Sequence, residues 1–189
     1  ICMRRPWDGE RYLKLFDKVR AAMPDVAIRT TFIVGFPGET KAEFDYLLDF
    51  VGEAKLDRVG AFLYSREPGT PSHDFDGQVP IRTKQTRFDQ LMTLQQGISQ
   101  AKNDSWIDRE LLTLVEDSRE GWLIGRSHRD APDIDGMVIF KGVAKPGDMV
   151  SVKITEAEPY DVFGVQADSG IAVKKRLEPL RMAPPKAPQ

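Results

Sequence analysis

A glycine-rich turn is the clearest place in this sequence for ligand chemistry. Residues 26–34 carry the apolar and β-branched side chains of a strand, and Gly35, Pro37 and Gly38 end that strand abruptly. Glycine lets the backbone turn sharply and approach a ligand closely, so that amides and carbonyls at the turn can hydrogen-bond an adenine edge. The same residues would also serve a tight strand-to-helix turn without a ligand. The segment alone leaves both interpretations open.

A second candidate segment lies at the end of the next predicted strand, which covers residues 59–64. Tyr64 and Ser65 come at the end of that strand and begin a loop rich in Pro, Gly and Ser. In parallel α/β folds, ligands bind at the carboxyl ends of the strands. The two residues therefore either line the same pocket as the glycine turn or begin an ordinary surface loop.

Arg29 is the one charged side chain within the first predicted strand. Period-two alternation places Arg29, Thr31 and Ile33 on one face of that strand. If the face points into a barrel, the guanidinium needs an anionic partner. We hypothesise that Arg29 holds an anionic group of a cofactor or substrate. The alternative is an arginine at the strand end that reaches solvent.

Several other chemistries lack a signal in the sequence. It contains no G-x-G-x-x-G fingerprint, no Walker A motif and no visible Ser/His/Asp nucleophile set. The one cysteine, Cys2, fits a reducing cytoplasm, and His73 and His128 are too isolated for a metal site, so none is predicted. No apolar run approaches the roughly 20 residues of a membrane helix, and a cytoplasmic protein without membrane association is expected.

The first hundred residues alternate between helix and strand signals. A helical stripe after Asp8 is ended by Pro24, and a capping box at residues 40–43 opens a second helix after the first strand. The second strand and a long helix over about 82–103 complete the series. A strand–helix–strand unit of this length needs a right-handed parallel crossover. The pattern predicts an α/β sheet or barrel.

After residue 106 the pattern changes to short strands separated by turns. Five such runs at regular spacing predict a small antiparallel barrel with an oligonucleotide-binding-like (OB-like) architecture: 112–115, 122–124, 137–140, 149–154 and 160–165. Residues 168–189 end in a proline-rich stretch that cannot pack a core, so this tail is expected to be disordered.

The predicted barrel is acidic. From residue 106 to 166, seven basic side chains stand against twelve acidic ones, which leaves a net charge of −5. A module that binds RNA is expected to be basic, whereas an acidic module suits a basic protein partner. A generic solvated acidic surface is the alternative.

Together these segments resemble the radical S-adenosylmethionine (SAM) methylthiotransferases. Residues 28–40 are similar to the fifth-strand motif of that family, residues 3–6 to the stretch just upstream, and residues 64–71 to its sixth-strand loop. The last barrel resembles a TRAM domain. The resemblance implies three parts: residues 1–104 as the C-terminal part of a partial, TIM-like β/α barrel, 105–167 as the TRAM domain, and 168–189 as the tail.

The family has two branches, and the sequence favours one of them. One branch modifies tRNA (MiaB-type), and the other modifies an aspartate of a small-subunit ribosomal protein (RimO-type). Residues 125–136 resemble the RimO-type TRAM signature, and Glu67 stands where the tRNA branch tends to have arginine. A tRNA methylthiotransferase and a non-catalytic binding fragment remain the alternatives.

The resemblance also implies a chemistry and its participants. The complete enzyme would use SAM and two 4Fe-4S clusters, with an electron donor, to form a 5′-deoxyadenosyl radical that takes hydrogen from the aspartate β-carbon before a methylthio group is installed. Its partner would be the ribosomal protein or the ribosome, with tRNA less expected. The cluster cysteines are absent from this chain, which is expected to be inactive alone and to contain no catalytic residue.

Two groups of residues take roles by this resemblance. Ile33 and Gly35 would offer backbone contacts to adenine, and Thr31 would line the pocket where many relatives have glycine. Tyr64 and Ser65 would flank the cofactor. The TRAM residues expected to contact the substrate protein are Arg126, Asp130, Asp133 and Asp135.

Overall fold

The computed structural model describes residues 8–170. Cys2, the motif at residues 3–6 and the predicted disorder beyond residue 170 therefore lie outside the described residues. Within the described part, a parallel strand–helix–strand unit comes first and a closed barrel of five strands follows.

The first unit has three helices and two strands, with a short 3₁₀ helix at Pro71–Asp74. Strands β1 and β2 are parallel and in register from Arg29 opposite Arg58 to Val34 opposite Leu63, which confirms the predicted crossover unit. The elements are α1 (Gly9–Ala22), β1 (Arg29–Val34), α2 (Lys41–Ala54), β2 (Arg58–Leu63) and α3 (Ile81–Asp104).

Local sequence signals place the helix ends. The Asp8 side chain caps α1 by accepting the Arg11 N–H at 3.0 Å. The predicted capping box of α2 is present, because Thr40 accepts the Glu43 N–H and the Glu43 carboxylate accepts the Thr40 N–H. Lys55, in the left-handed conformation, ends α2.

The helices cover only one face of the two-stranded sheet. Phe32 and Val34 lie on the covered face and pack into a core with buried residues that include Phe44, Phe50, Val51, Leu56 and Leu91. The opposite face carries Arg29, Thr31 and Ile33 from β1, as the alternation predicted, and Phe62 from β2, which is 65% exposed. A parallel sheet with helices on one face only is the arrangement of a segment of a β/α barrel.

The second unit is a closed barrel in the order β3-β4-β5-β7-β6. Its interior is filled by apolar residues that include Leu111, Val115, Leu123, Phe140 and Ile154. The strands are β3 (Glu110–Arg119), β4 (Trp122–Ser127), β5 (Val138–Lys141), β6 (Met149–Ala157) and β7 (Val162–Gln166).

The barrel confirms the predicted five-stranded OB-like architecture with one difference. The pairing of β5 with β7 is parallel, so the barrel is mixed and not wholly antiparallel. Strand direction alternates along the chain, and a closed ring with an odd number of strands cannot pair every neighbour antiparallel. One parallel contact is therefore a geometric consequence of closure. The predicted division of the chain at residue 104 falls at the end of α3 and stays a prediction.

Candidate functional site

The carboxyl ends of β1 and β2 form one edge of the sheet, and the glycine turn lies there. Gly35 has a φ of +75° and Gly38 a φ of +84°, a left-handed conformation that favours glycine. A Cβ added to Gly35 would overlap the Cγ of Lys84, whereas the space beside Gly38 is open. The Gly38 N–H donates to the Gly77 carbonyl at 2.9 Å, which ties the turn to the loop after β2.

Hydrogen bonds to a carboxylate and an arginine stabilise the turn. The Gly35 N–H donates to both carboxylate oxygens of Glu39, at 3.0 and 3.1 Å. Arg87 of α3 donates to the Glu39 carboxylate at 2.5 Å and to the Glu39 carbonyl at 3.0 Å, and both side chains are largely buried. The sequence argument missed Glu39 and Arg87 as site residues. The Gly35 amide is occupied by this clamp, so its N–H cannot also serve an adenine edge.

Tyr64 lies beside the turn at the end of β2. Its N–H donates to the Val34 carbonyl at 2.9 Å, and its ring contacts Phe36 edge-on at 5.1 Å between centroids. Lys84, which is buried, donates to the Tyr64 carbonyl at 2.7 Å and lies over the ring. The Tyr64 hydroxyl is buried and has no hydrogen-bond partner in the described part of the chain. A polar ligand group at this edge would satisfy it.

The open edge of β1 offers backbone groups as well. The carbonyls of Ile28 and Val34 accept hydrogen bonds from β2 and its flanks. Because neighbouring residues of a strand direct their N–H and C=O groups to opposite edges, those of Thr31 and Ile33 point away from β2. No strand among residues 8–170 pairs with that edge. The backbone groups of Ile33 are therefore unpaired within the described residues, and the contact with adenine predicted for them stays a prediction.

The structure brings only some of the predicted cofactor residues together. Ile33, Gly35 and Tyr64 meet at the carboxyl edge with Ser65, whose hydroxyl donates to Glu67 at 2.6 Å. Arg29 lies at the other end of β1, about 20 Å from Gly35 at ~3.3 Å per residue.

At that opposite end, the sheet contacts the barrel through two ion pairs, one half-exposed and one buried. Arg29 donates to Asp135 at 3.2 Å, and Arg58 donates to Asp130 at 3.1 Å. The Arg58 and Asp130 side chains are 10% and 7% exposed. The second oxygen of Asp130 accepts from the amide and hydroxyl of Ser127, at 3.1 and 2.7 Å. Arg29 therefore has an anionic partner, which is a carboxylate of the barrel.

Asp57 extends this network on the sheet side. Its carboxylate accepts the Ile28 N–H at 3.0 Å and lies 3.7 Å from Lys102 and 3.9 Å from Arg129. Burial lowers the pKa of Arg129, and the neighbouring Arg58 charge lowers it further, against the effect of nearby carboxylates. Burial also lowers the pKa of Lys102, in part offset by Asp57.

The predicted substrate residues divide into two pairs. Asp130 and Asp135 face the parallel unit and pair with Arg58 and Arg29 at the strand starts. Their predicted contact with the substrate protein stays a prediction. Arg126 lies on the barrel surface in an ion pair with Glu116, and Asp133 is exposed in a loop.

Two features are absent from the described part of the chain. No group of three or more His, Cys, Asp or Glu side chains that could hold a metal ion occurs among residues 8–170. No helix in the same range is long and apolar enough to cross a membrane.

The two units together define a class of protein: a segment of a β/α barrel joined to an OB-like module. The TRAM domain model matches residues 107–166, which include all five strands of the second barrel.

Relatives match both units. The chain is 50% identical over 167 residues to the ribosomal protein uS12 methylthiotransferase RimO of Chloroflexus aurantiacus, a match that covers 86% of this chain and 37% of that protein. It is 48% identical to the Roseiflexus sp. RS-1 protein of the same name (88% and 36% covered) and 45% identical to that of Klebsiella pneumoniae (87% and 38% covered). The chain is therefore similar to RimO methylthiotransferases over most of its own length, and it spans little more than a third of the length of these relatives.

Proposed function

We propose that this chain is the C-terminal part of a radical SAM enzyme that transfers a methylthio group to the β-carbon of an aspartate in ribosomal protein uS12. The observation that carries the proposal is the identity to uS12 methylthiotransferases, which extends through the parallel unit and the barrel alike. These relatives are named for uS12, and the acidic barrel is poorly suited to RNA, so a tRNA substrate is not favoured.

The carboxyl edge of β1 and β2 is the proposed site for the adenosyl part of SAM. The backbone edge at Ile33 and the Tyr64 hydroxyl have no partner within residues 8–170. The backbone edge can hydrogen-bond the adenine, and the hydroxyl can accept from or donate to a polar group of the cofactor. Gly35 would contribute by having no side chain, because any side chain at that position would displace Lys84. Thr31 would line the open face and Ser65 would flank the site. These residues would hold and orient the adenosyl group of SAM, which would supply the radical chemistry in the complete enzyme.

The reaction would also need two iron–sulfur clusters and an electron donor. The two 4Fe-4S clusters would be bound by cysteines outside the described residues, and the electron donor would act on those clusters. We therefore propose that the isolated chain does not catalyse methylthiolation, and that the complete enzyme works in the cytoplasm, where ribosomes are made.

The barrel is the proposed contact for the substrate protein, with Arg126 and Asp133 as its candidate residues. Asp130 and Asp135 are engaged by Arg58 and Arg29, so we assign them to joining the two units. The barrel touches the amino ends of β1 and β2, about 20 Å from the glycine turn at ~3.3 Å per residue. A substrate that uses both surfaces must span that distance, which a ribosomal protein or an assembled ribosome can do.

A chimera tests the proposal with a direct readout. The matching segment of the Chloroflexus aurantiacus RimO protein is replaced by this chain, the clusters are reconstituted, and uS12 is examined for the mass gain of one methylthio group. We expect modification of uS12 by the chimera and none by the isolated chain. A folded chimera with loaded clusters that modifies tRNA but not uS12 would contradict the proposed substrate.

A matched pair of variants in the same chimera tests the cofactor site. Gly35→Ala should weaken SAM binding, measured by equilibrium dialysis, because the added methyl group displaces Lys84 from behind Tyr64. Gly38→Ala adds the same methyl group in open space and should bind SAM much as the parent does. Equal SAM affinity in both variants would remove the glycine turn from the site.

A further inference from the structure

A cavity of about 200 Å³ lies between the parallel unit and the barrel. Arginines from three separate elements line it: Arg29 from β1, Arg58 from β2 and Arg129 from the loop after β4. His128 lines it as well and is exposed, as is half of the Arg29 side chain. Arg58 and Arg129 are almost fully buried. The cavity therefore has an accessible mouth and a floor made of two buried guanidinium groups.

The donors in this cavity outnumber the acceptors that are still available. The Arg58 Nε–H is buried and has no hydrogen-bond partner in the described chain, and the nearest carboxylate oxygen, Oδ1 of Asp135, is 4.0 Å away. The two lining carboxylates already accept from protein groups: Asp130 from Ser127 and Arg58, and Asp135 from Ala131 and Arg29. A buried donor of this kind calls for an acceptor from outside the described residues.

Charge and volume point to an anion and not to a single water molecule. Arg29, Arg58, Arg129 and the adjacent Lys102 are four cations, and three carboxylates among the described residues pair with them. One water molecule occupies about 30 Å³ of liquid volume, far less than the space present. Guanidinium groups bind oxyanions through paired N–H donors, and phosphate and sulfate match that geometry.

We propose that this cavity is a binding site for one tetrahedral oxyanion of the phosphate class, held by Arg58 and Arg129 at its floor and by Arg29 and His128 at its mouth. The inference does not rest on the proposed enzymatic function, because the cavity lies at the opposite end of the strands from the glycine turn. The phosphate can be a free ion or a phosphate group of a nucleic acid.

Calorimetric titration of the 189-residue chain with inorganic phosphate, in a buffer free of phosphate and sulfate, tests the proposal. We expect saturable binding of one phosphate per chain. Arg58→Lys keeps the charge opposite Asp130 but removes the Nε donor, and it should weaken phosphate binding about tenfold, the value of one charged hydrogen bond. Arg119→Gln, an exposed arginine remote from the cavity, is the control and should bind phosphate like the parent.

A second variant keeps the test decisive if Arg58→Lys does not fold. Ala131→Leu retains every charge and fills the cavity, so it should abolish phosphate binding while the circular dichroism spectrum is preserved. Competition by a short oligouridylate would assign the site to nucleic-acid phosphate, and lack of competition would assign it to the free ion. Absence of saturable phosphate binding by the parent, or equal binding by Ala131→Leu, would overturn the proposal.

Discussion

Each end of the β1–β2 sheet has a carboxylate–arginine pair, but the two pairs have different structural roles. At the carboxyl end, the Glu39–Arg87 pair holds a turn and is joined to it by the Gly35 amide. At the amino end, Arg58 and Asp130 hold two folded units together across 72 residues of sequence. The first pair shapes a backbone, and the second fixes the position of a module.

The difference lies in which group is left unsatisfied. The carboxyl end leaves the Tyr64 hydroxyl and the open strand edge at Ile33, which are neutral groups suited to a nucleoside. The amino end leaves the Nε–H of a guanidinium, which is suited to an anion. The proposed nucleoside site and the proposed anion site are therefore one strand length apart. Substitutions at one end should leave the properties of the other end unchanged.

The largest expected effect is at the amino end. Asp130→Asn removes the carboxylate opposite the buried Arg58 and should lower the free energy of unfolding by about 3 kcal/mol. Asp133→Asn, in the same loop but exposed, is the matched control and should change it by less than about 0.5 kcal/mol. Urea unfolding followed by circular dichroism measures both. Similar stability of the two variants would mean that the Arg58 pair contributes nothing to joining the units.

A smaller effect is expected at the carboxyl end. Gly35→Ala combines a left-handed φ with a methyl group that overlaps Lys84, and should destabilise the chain by about 2 kcal/mol. Gly38→Ala has the left-handed φ alone and should destabilise it by about 1 kcal/mol. The difference between their urea midpoints isolates the contact with Lys84. Identical midpoints would show that Lys84 moves aside freely.

The contrast between the two ends also separates what the sequence could predict from what it could not. The strands, the α2 capping box and the shared face of Arg29 and Ile33 follow from residues close in the chain, and all were predictable. The parallel β5–β7 contact could have been deduced too, because five strands cannot close a wholly antiparallel ring.

Ion pairs between distant residues could not be predicted in the same way. Asp135 belongs to an acidic stretch that resembles a surface for a basic partner, and only the fold shows its partner, Arg29, 106 residues away. Composition counts charges but does not pair them. Glu39 lies in the motif at residues 28–40, yet its ion pair could not be predicted, because Arg87 lies on α3, 48 residues later in the chain.

An exposed ion pair between the barrel and the parallel unit provides a third test, with a smaller expected effect on stability. Arg109 of the barrel side contacts Asp25 of the sheet side at 2.9 Å, but these side chains are 47% and 55% exposed. Solvent screens such a pair, so Asp25→Asn should lower the free energy of unfolding by no more than about 0.5 kcal/mol. The measurement is the same urea titration, repeated at high salt, where the small effect should vanish. A loss as large as that of Asp130→Asn would break the distinction between buried and exposed pairs.

The smallest effect depends on pH and concerns the helix that follows the glycine turn. The backbone N–H of Thr40, followed by its hydroxyl, lowers the pKa of Glu43 below the ordinary value of 4.5. A carboxyl whose pKa is lowered in the folded state adds stability above its unfolded pKa and loses that contribution as the pH falls through the folded pKa. Because Glu43 is exposed, the contribution should be only a few tenths of a kcal/mol.

Glu43→Gln should therefore be slightly less stable than the parent at about pH 7, and the gap should narrow as the pH falls through the lowered pKa of Glu43. Thr40→Ser retains the hydroxyl and the backbone N–H that bind the carboxylate, so it should respond to pH as the parent does. Urea midpoints across this pH range supply the measurement. A gap that stays constant with pH would mean that the capping box stabilises α2 by hydrogen-bond geometry alone, with no share from the carboxylate charge.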